Sequence, residues 1–75
     1  MNAYVRIEYS HLTEKLLTAA PDSHVPAGHE VVARTAQPEA AEAFIEQMQE
    51  VLPLCLPVYQ YRVMFTNYLN FGRVQ

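Results

Sequence analysis

The sequence predicts a small α/β protein of the α+β type, in which a single-layer sheet of three to four strands carries two helices packed on one face. Two stretches of the chain alternate apolar and polar residues, as half-buried strands do, and a third repeats its apolar residues at helical spacing. Prolines separate these stretches. The predicted order is strand, helix, strand, helix, strand, with or without a further C-terminal strand, and such elements pack as helices against a sheet.

The length and composition are those of one small globular domain covering residues 1–75. Of the 75 residues, 51% are hydrophobic and 17% are charged, a balance typical of folded rather than disordered chains. A chain of this size buries roughly 60% of its unfolded surface, which leaves little material for both a scaffold and an enclosed active site. Multidomain enzymes and repeat arrays are therefore excluded.

The charge and the cysteine count bear on partners and location. Five Lys and Arg against eight Asp and Glu give a net charge of −3, whereas nucleic-acid-binding domains are usually basic. We therefore expect a basic protein surface as partner, such as that of a nucleic-acid-binding complex, and no direct nucleic-acid binding. No run approaches the ~20 apolar residues of a membrane helix and no signal peptide is recognisable, so we expect a cytoplasmic protein. The lone Cys55 allows no internal disulfide, and a small core without one favours a homodimer.

The first strand is predicted over residues 3–9. Val5 and Ile7 fall on one side of it and Arg6 and Glu8 on the other, as in a half-buried strand. The face that carries Arg6 and Glu8 would be solvated or would pair with another copy.

Residues 11–20 are predicted to form the first helix. Ser10 offers an N-cap oxygen, Pro21 ends the run, and the apolar residues between them recur at helical spacing, namely Leu12, Leu16, Leu17 and Ala20. Residues 21–29 contain two prolines and a glycine and predict a loop. The β-branched residues of 30–35 predict a second, short strand.

The second helix has the clearest pattern, over residues 38–52. Pro38 and Glu39 suit its first turn, and Pro53 ends it. One face of this helix is apolar and consists of Ala41, Phe44, Met48, Val51 and Leu52. The opposite face, the acidic stripe, consists of Glu39, Glu42, Glu46 and Glu50.

The C-terminal stretch satisfies two patterns. Residues 58–66 alternate with aromatic and β-branched residues, which favours a third strand, and Asn67 would turn the chain into a fourth strand over 68–74. The same stretch has helical spacing, with Gly72 as a natural helix end, through Tyr61, Met64, Phe65, Tyr68 and Leu69. Between the two, the strand is favoured.

The acidic stripe is the main candidate for function. Its four glutamates lie three or four residues apart, and no Lys or Arg occurs between Arg34 and Arg62. Such a stripe suits docking on a basic protein surface, although a merely solvated helix face has the same composition. The sequence predicts a non-enzymatic inhibitor or adaptor that acts by protein binding. In size and charge alone, it resembles phage-encoded inhibitors of host machinery such as anti-CRISPR proteins.

The alternative function is binding of single-stranded nucleic acid. Tyr59, Tyr61 and Phe65 would share one face of the third strand, with Arg62 nearby, and such a composition is typical of a stacking platform for bases. Aromatic residues at this spacing also fill the interface between a sheet and its helices. The acidity of the chain favours that second interpretation.

No cofactor, metal site or catalytic constellation is predicted. Asp22, His24, His29 and Glu30 are close in the sequence but match no metal-binding spacing. Cys55 lies between leucines, an apolar setting that does not activate a thiol. With two glycines in the chain there is no phosphate-binding loop, and we expect no enzyme activity.

Overall fold

The structure is a computed structural model that describes residues 4–50 and 56–72. Three strands come first and two helices follow, with the bounds β1 Val5–Ser10, β2 Lys15–Ala19, β3 His29–Thr35, α1 Pro38–Gln49 and α2 Val58–Phe71. The predicted α+β class is confirmed. The predicted alternation of strands and helices is wrong, because the first predicted helix contains a strand and the last predicted strand is a helix.

The sheet has the order β2-β1-β3, and β1 is antiparallel to both neighbours. As the central strand, β1 is buried on both faces along five of its six residues. Ile7 pairs with Ala33, whereas Glu8 pairs with Val31, so Val32 is an extra residue on β3. This β-bulge places the Val32 side chain in the core, where it is 1% exposed.

Residues 11–20 form a turn followed by β2, in place of the predicted helix. The turn begins as a helix would, since Ser10 Oγ accepts a hydrogen bond from the Thr13 amide (3.3 Å) and the Ser10 carbonyl accepts one from the Glu14 amide (2.8 Å). Glu14 then adopts a φ of 55°, a left-handed conformation that ends a right-handed turn. The chain reverses, and Leu16 becomes a buried residue of a strand paired with β1.

The C-terminal stretch is the helix α2, and the predicted strand over 58–66 and hairpin up to residue 72 are wrong. Gly72 ends the helix with a φ of 75°, and its amide donates to the Tyr68 carbonyl (2.8 Å). Tyr61 and Phe65 are four residues apart, so they share a side in a strand and in a helix alike. Packing against the sheet, and not period, therefore decides between the two.

The remaining predicted elements are confirmed: β1 lies where alternation placed it, β3 where its β-branched residues placed it, and α1 where helical spacing placed it. Ala41, Phe44 and Met48 of α1 are buried as predicted, and Ile45 joins them. Several predictions fall outside the described residues, namely those on Ala3, Val51, Leu52, Pro53, Cys55 and residues 73–74.

Both helices share one core with a single face of the sheet. Ile7, Tyr9 and Leu16 contribute from the strands, and the buried residues of α1 and α2 complete the same cluster. The Tyr9 ring stacks on that of Tyr61 at a centroid distance of 5.2 Å. Aromatic contacts of this kind add to the free energy of burial, and this one fixes α2 against the central strand.

Candidate functional site

The acidic stripe is exposed along the whole of α1 and its C-cap residue. Glu39, Glu42, Glu46 and Glu50 are all exposed on α1 and its C-cap, over a length of about 16 Å at the rise of an α-helix. Within residues 4–50 and 56–72, the acidic partners of ion pairs are Glu8 and Glu30 alone. No described basic side chain therefore neutralises any of the four carboxylates.

Two neighbouring residues determine how α1 is rotated about its axis. The Phe44 ring contacts Phe65 and Tyr68 of α2, at centroid distances of 5.1 and 5.8 Å, so this flank of α1 faces α2. Ile45 is turned by ~100° and is buried on the other flank. Because α1 packs mainly on β2 and α2 lies on the Phe44 side, we infer that the Ile45 flank is the one toward the outer side of β2. Glu42 lies three residues before Ile45 and therefore beside it. The acidic stripe thus extends from the β2 side of α1 to its outward surface.

The aromatic residues of the alternative site are divided between the core and the surface. Tyr61 and Phe65 are buried at 0% and 2% exposure, and the hydroxyl of Tyr61 accepts a hydrogen bond from the Leu56 amide (3.0 Å). Tyr59 is exposed. Because bases stack only on accessible rings, one aromatic of the predicted three is available for stacking.

Arg62, the cation of the alternative site, is bound to the sheet. Its Nε donates to the Val32 carbonyl (2.7 Å) and its Nη2 to the Val31 carbonyl (3.1 Å). These are the carbonyls at the β-bulge of β3, so the guanidinium links α2 to that strand. Tyr59, Tyr61, Arg62 and Phe65 therefore do not form one exposed surface.

An open apolar depression of about 420 Å³ lies on the outward side of α2, lined by Leu56, Tyr59, Gln60, Val63 and Met64. The predicted strand over residues 58–66 does not contain this surface, because in a strand Val63 lies on the same side as Tyr61 and Phe65. The spacing of four between Tyr59 and Val63 is the signal that would have found it, once α2 is recognised as a helix.

On the face of the sheet remote from the helices, Arg6 and Glu8 are covered, contrary to the expectation that the face carrying them is solvated or pairs with another copy. Arg6 is buried there beneath the loop of residues 20–28. Its Nε donates to Glu8 (2.6 Å), its Nη1 to the Pro21 and Ser23 carbonyls (3.1 and 2.7 Å), and its Nη2 to Ser23 Oγ (3.0 Å). A fully bonded guanidinium of this kind holds the loop to the sheet.

Glu8 completes this buried network. Its Oε1 accepts a hydrogen bond from Nδ1 of His29 (2.9 Å), and its Oε2 is paired with Arg6. Burial raises the pKa of the Glu8 carboxyl, but the hydrogen bonds and charges of His29 and Arg6 outweigh burial and hold this pKa below its ordinary 4.5. Both carboxylate oxygens of Glu8 and all three guanidinium nitrogens of Arg6 have partners, so the arrangement acts as a structural clamp between the loop and the sheet.

Two of the four residues that suggested a metal site are paired with other groups. His29 is bound to Glu8, and Glu30 pairs with His11 across 2.7 Å. Within the described part of the chain, no three potential metal ligands converge. Cys55 lies outside that part.

The search for known relatives returned no matching protein family, no characterised protein and no solved structure. Of the two described helices, neither has the length and apolar character needed to cross a membrane. Function therefore has to follow from the geometry of this chain's own residues.

Proposed function

We propose that this protein is a non-enzymatic inhibitor or adaptor that binds a partner protein, with the acidic stripe of α1 docking on a basic surface. The observation that carries the proposal is the set of four exposed glutamates that form no ion pair with a described basic side chain. Each like-charged pair at this spacing costs an isolated helix about 0.2–0.5 kcal/mol. A basic partner would relieve that repulsion and would also be drawn to the stripe at long range.

The proposed setting is the cytoplasm of the cell in which the protein acts, including a phage-infected host. A chain with one cysteine gains nothing from an oxidising compartment. The partner's basic surface is proposed to be one that otherwise binds nucleic acid, because such surfaces concentrate Lys and Arg.

The test is a comparison of two charge-matched triple variants. In the first, Glu42, Glu46 and Glu50 are each changed to Gln; in the second, the same loss of charge is made with Glu14→Gln, Asp22→Asn and Glu30→Gln. A tagged copy of each is used to purify partners from the native host, and the affinity of any partner is measured at two salt concentrations. We expect the stripe variant to lose binding and the control to retain it. Equal binding by both variants would refute the proposal.

A second candidate function is self-association through the outward side of α2. Tyr59, Val63 and Phe71 are all more than half exposed there, and exposed apolar patches on small domains often mark contact sites. Light scattering at micromolar concentration tests it, since a homodimer doubles the mass and Val63→Asp should return it to that of a monomer. A monomeric wild-type protein would rule it out.

Single-stranded nucleic-acid binding has less support than either candidate. Of its four proposed residues, Tyr61 and Phe65 are core residues and Arg62 is bound to backbone carbonyls. We therefore rank it third.

A further inference from the structure

The two edges of the three-stranded sheet are protected unequally. At β3, the β-bulge at Val32 interrupts the regular ladder, and Arg62 donates to the carbonyls of Val31 and Val32. Bulges and charged side chains at an edge are the devices by which proteins prevent unwanted strand pairing. The β3 edge therefore carries two of these devices.

The β2 edge has few such devices. Lys15 stands at one end of the strand, and there is no proline or bulge between it and Ala19. Among the described residues, the hydrogen bonds of the β2 backbone are those of its ladder with β1. An antiparallel strand directs alternate N–H and C=O groups to either side. On its outer side, β2 therefore presents donors and acceptors that no described residue pairs with.

The two faces of β2 differ in what an added strand would meet. On the helix face, Leu16 is buried beside Tyr9, and the Glu42 flank of α1 lies above this outer strand. On the other face, Leu17 and Ala19 are half-buried and apolar. A strand added to β2 would therefore have carboxylates above one of its faces and apolar side chains beside the other.

We propose that the outer edge of β2 binds, by strand addition, an extended segment of the partner protein in which basic and apolar residues alternate. Its basic side chains would face Glu42 and Glu46 of α1, and its apolar side chains would pack beside Leu17 and Ala19. Strand addition supplies main-chain hydrogen bonds, and the alternating side chains supply specificity. This inference rests on the proposed function, because it uses the same acidic stripe.

Charge complementarity favours this occupant over a second copy of the chain. If β2 paired with β2 of another molecule, the Glu42 flanks of the two α1 helices would lie close together above the paired strands. Like charges in such an arrangement disfavour association, whereas a basic strand meets them with opposite charge.

The experiment uses the full-length, isotope-labelled protein and the peptide acetyl-Lys-Val-Lys-Val-Lys-Val-Lys-amide, followed by NMR. We expect the amide signals of residues 15–19 to shift on titration and to exchange more slowly with solvent. Two peptides serve as controls: one with Glu in place of Lys, and one of the same composition with its three valines adjacent. Both should bind at least ten-fold more weakly, because the first reverses the charge and the second loses the alternation.

Two charge-reversed variants test the role of the stripe. Glu42→Lys, on the β2 flank, should weaken binding of the alternating peptide by about five-fold, the range of surface ion pairs. Glu50→Lys makes the same change of charge on the outward side of the helix and should weaken it by less than about two-fold.

Three outcomes would overturn the inference. If the alternating peptide and the peptide with adjacent valines bind equally and shift only α1 signals, the edge is not used, and the proposed docking through the stripe still stands. If no basic peptide binds, the inference fails, while the proposed function is judged by its own triple variants. If the β2 signals shift with protein concentration alone, the occupant is a second copy.

Discussion

Arg6 and Glu8 lie two residues apart on the central strand and are joined by a hydrogen bond of 2.6 Å from Nε to Oε2, with side chains that are 2% and 1% exposed. A buried ion pair is tolerated only where its remaining donors and acceptors are satisfied. Here the loop carbonyls and His29 provide those partners. The pair thereby ties the loop of residues 20–28 to the sheet.

Removing one member of this pair should be costly. We expect Glu8→Gln to lower the free energy of unfolding by about 3 kcal/mol, because the charge of Arg6 stays buried without its counter-ion. Glu46→Gln removes the same charge from an exposed position and should change the free energy of unfolding by less than about 0.5 kcal/mol. Urea unfolding followed by circular dichroism measures both, and equal effects would mean that the pair is not structural.

The double variant Arg6→Met with Glu8→Leu separates the strength of the pair from the cost of isolating one charge. Apolar residues of similar volume often replace a buried ion pair with little loss of stability. We expect the double variant to be more stable than Glu8→Gln. If it is less stable, the loop depends on the guanidinium for more than charge balance.

The stability of the fold should depend on pH through Glu8. The pKa of this carboxyl is lower in the folded protein than its ordinary 4.5, so the folded state binds protons less readily than the unfolded state. Its contribution is therefore complete above that ordinary pKa and is lost as the pH falls through the lower, folded value. Urea midpoints should decline as the pH is lowered from about 5, and more steeply in the wild type than in Glu8→Gln. Parallel curves would contradict this.

Glu14 is the one described residue other than glycine with a positive φ. A left-handed conformation costs a residue with a side chain about 1–2 kcal/mol. Glycine avoids that cost, but it loses more conformational entropy on folding, which offsets part of the gain in stability. We expect Glu14→Gly to stabilise the protein by about 0.5–1 kcal/mol and Glu14→Ala to have little effect. Thermal unfolding compares the three proteins, and a glycine variant no more stable than the alanine variant would show that the turn is unstrained.

Arg62 should matter for stability. Its two hydrogen bonds to the carbonyls of Val31 and Val32 are charge-assisted, so Arg62→Gln should lower the free energy of unfolding by about 1–2 kcal/mol. Tyr59→Ser, at the exposed aromatic of α2, should change it by less than about 0.5 kcal/mol. Chemical denaturation of both variants measures this difference. If Arg62→Gln leaves the free energy of unfolding unchanged, contacts other than these two hydrogen bonds hold α2 on β3.

Nucleic-acid binding should be absent. A labelled single-stranded oligonucleotide, titrated at low salt and followed by fluorescence anisotropy, should show no binding to the wild-type protein, because the chain is acidic and its core aromatics are inaccessible. Binding that weakens steeply as salt is added would reverse the ranking of the proposed functions.

The candidate site was predictable from sequence only where it depends on one helix. Helical spacing and Pro38 suffice to place the four glutamates on the exposed part of α1. The open edge of β2 was not predictable, because the sequence predicts a helix at residues 11–20. Its relation to the Glu42 flank follows from the contact of Phe44 with α2, which no local pattern contains.

The sequence by itself determined β1 and α1, because their apolar residues satisfy one period and not the other, and β3, because its β-branched residues favour a strand. Tertiary structure decided residues 11–19 and 58–71, where apolar residues four apart satisfy both periods. There, pairing with β1 and packing of Tyr61 on Tyr9 selected the element. Tertiary structure also decided that the loop of residues 20–28 covers Arg6 and Glu8. Alternation shows which side of a strand a residue occupies, but only the fold brings a loop 15 residues away to lie on it.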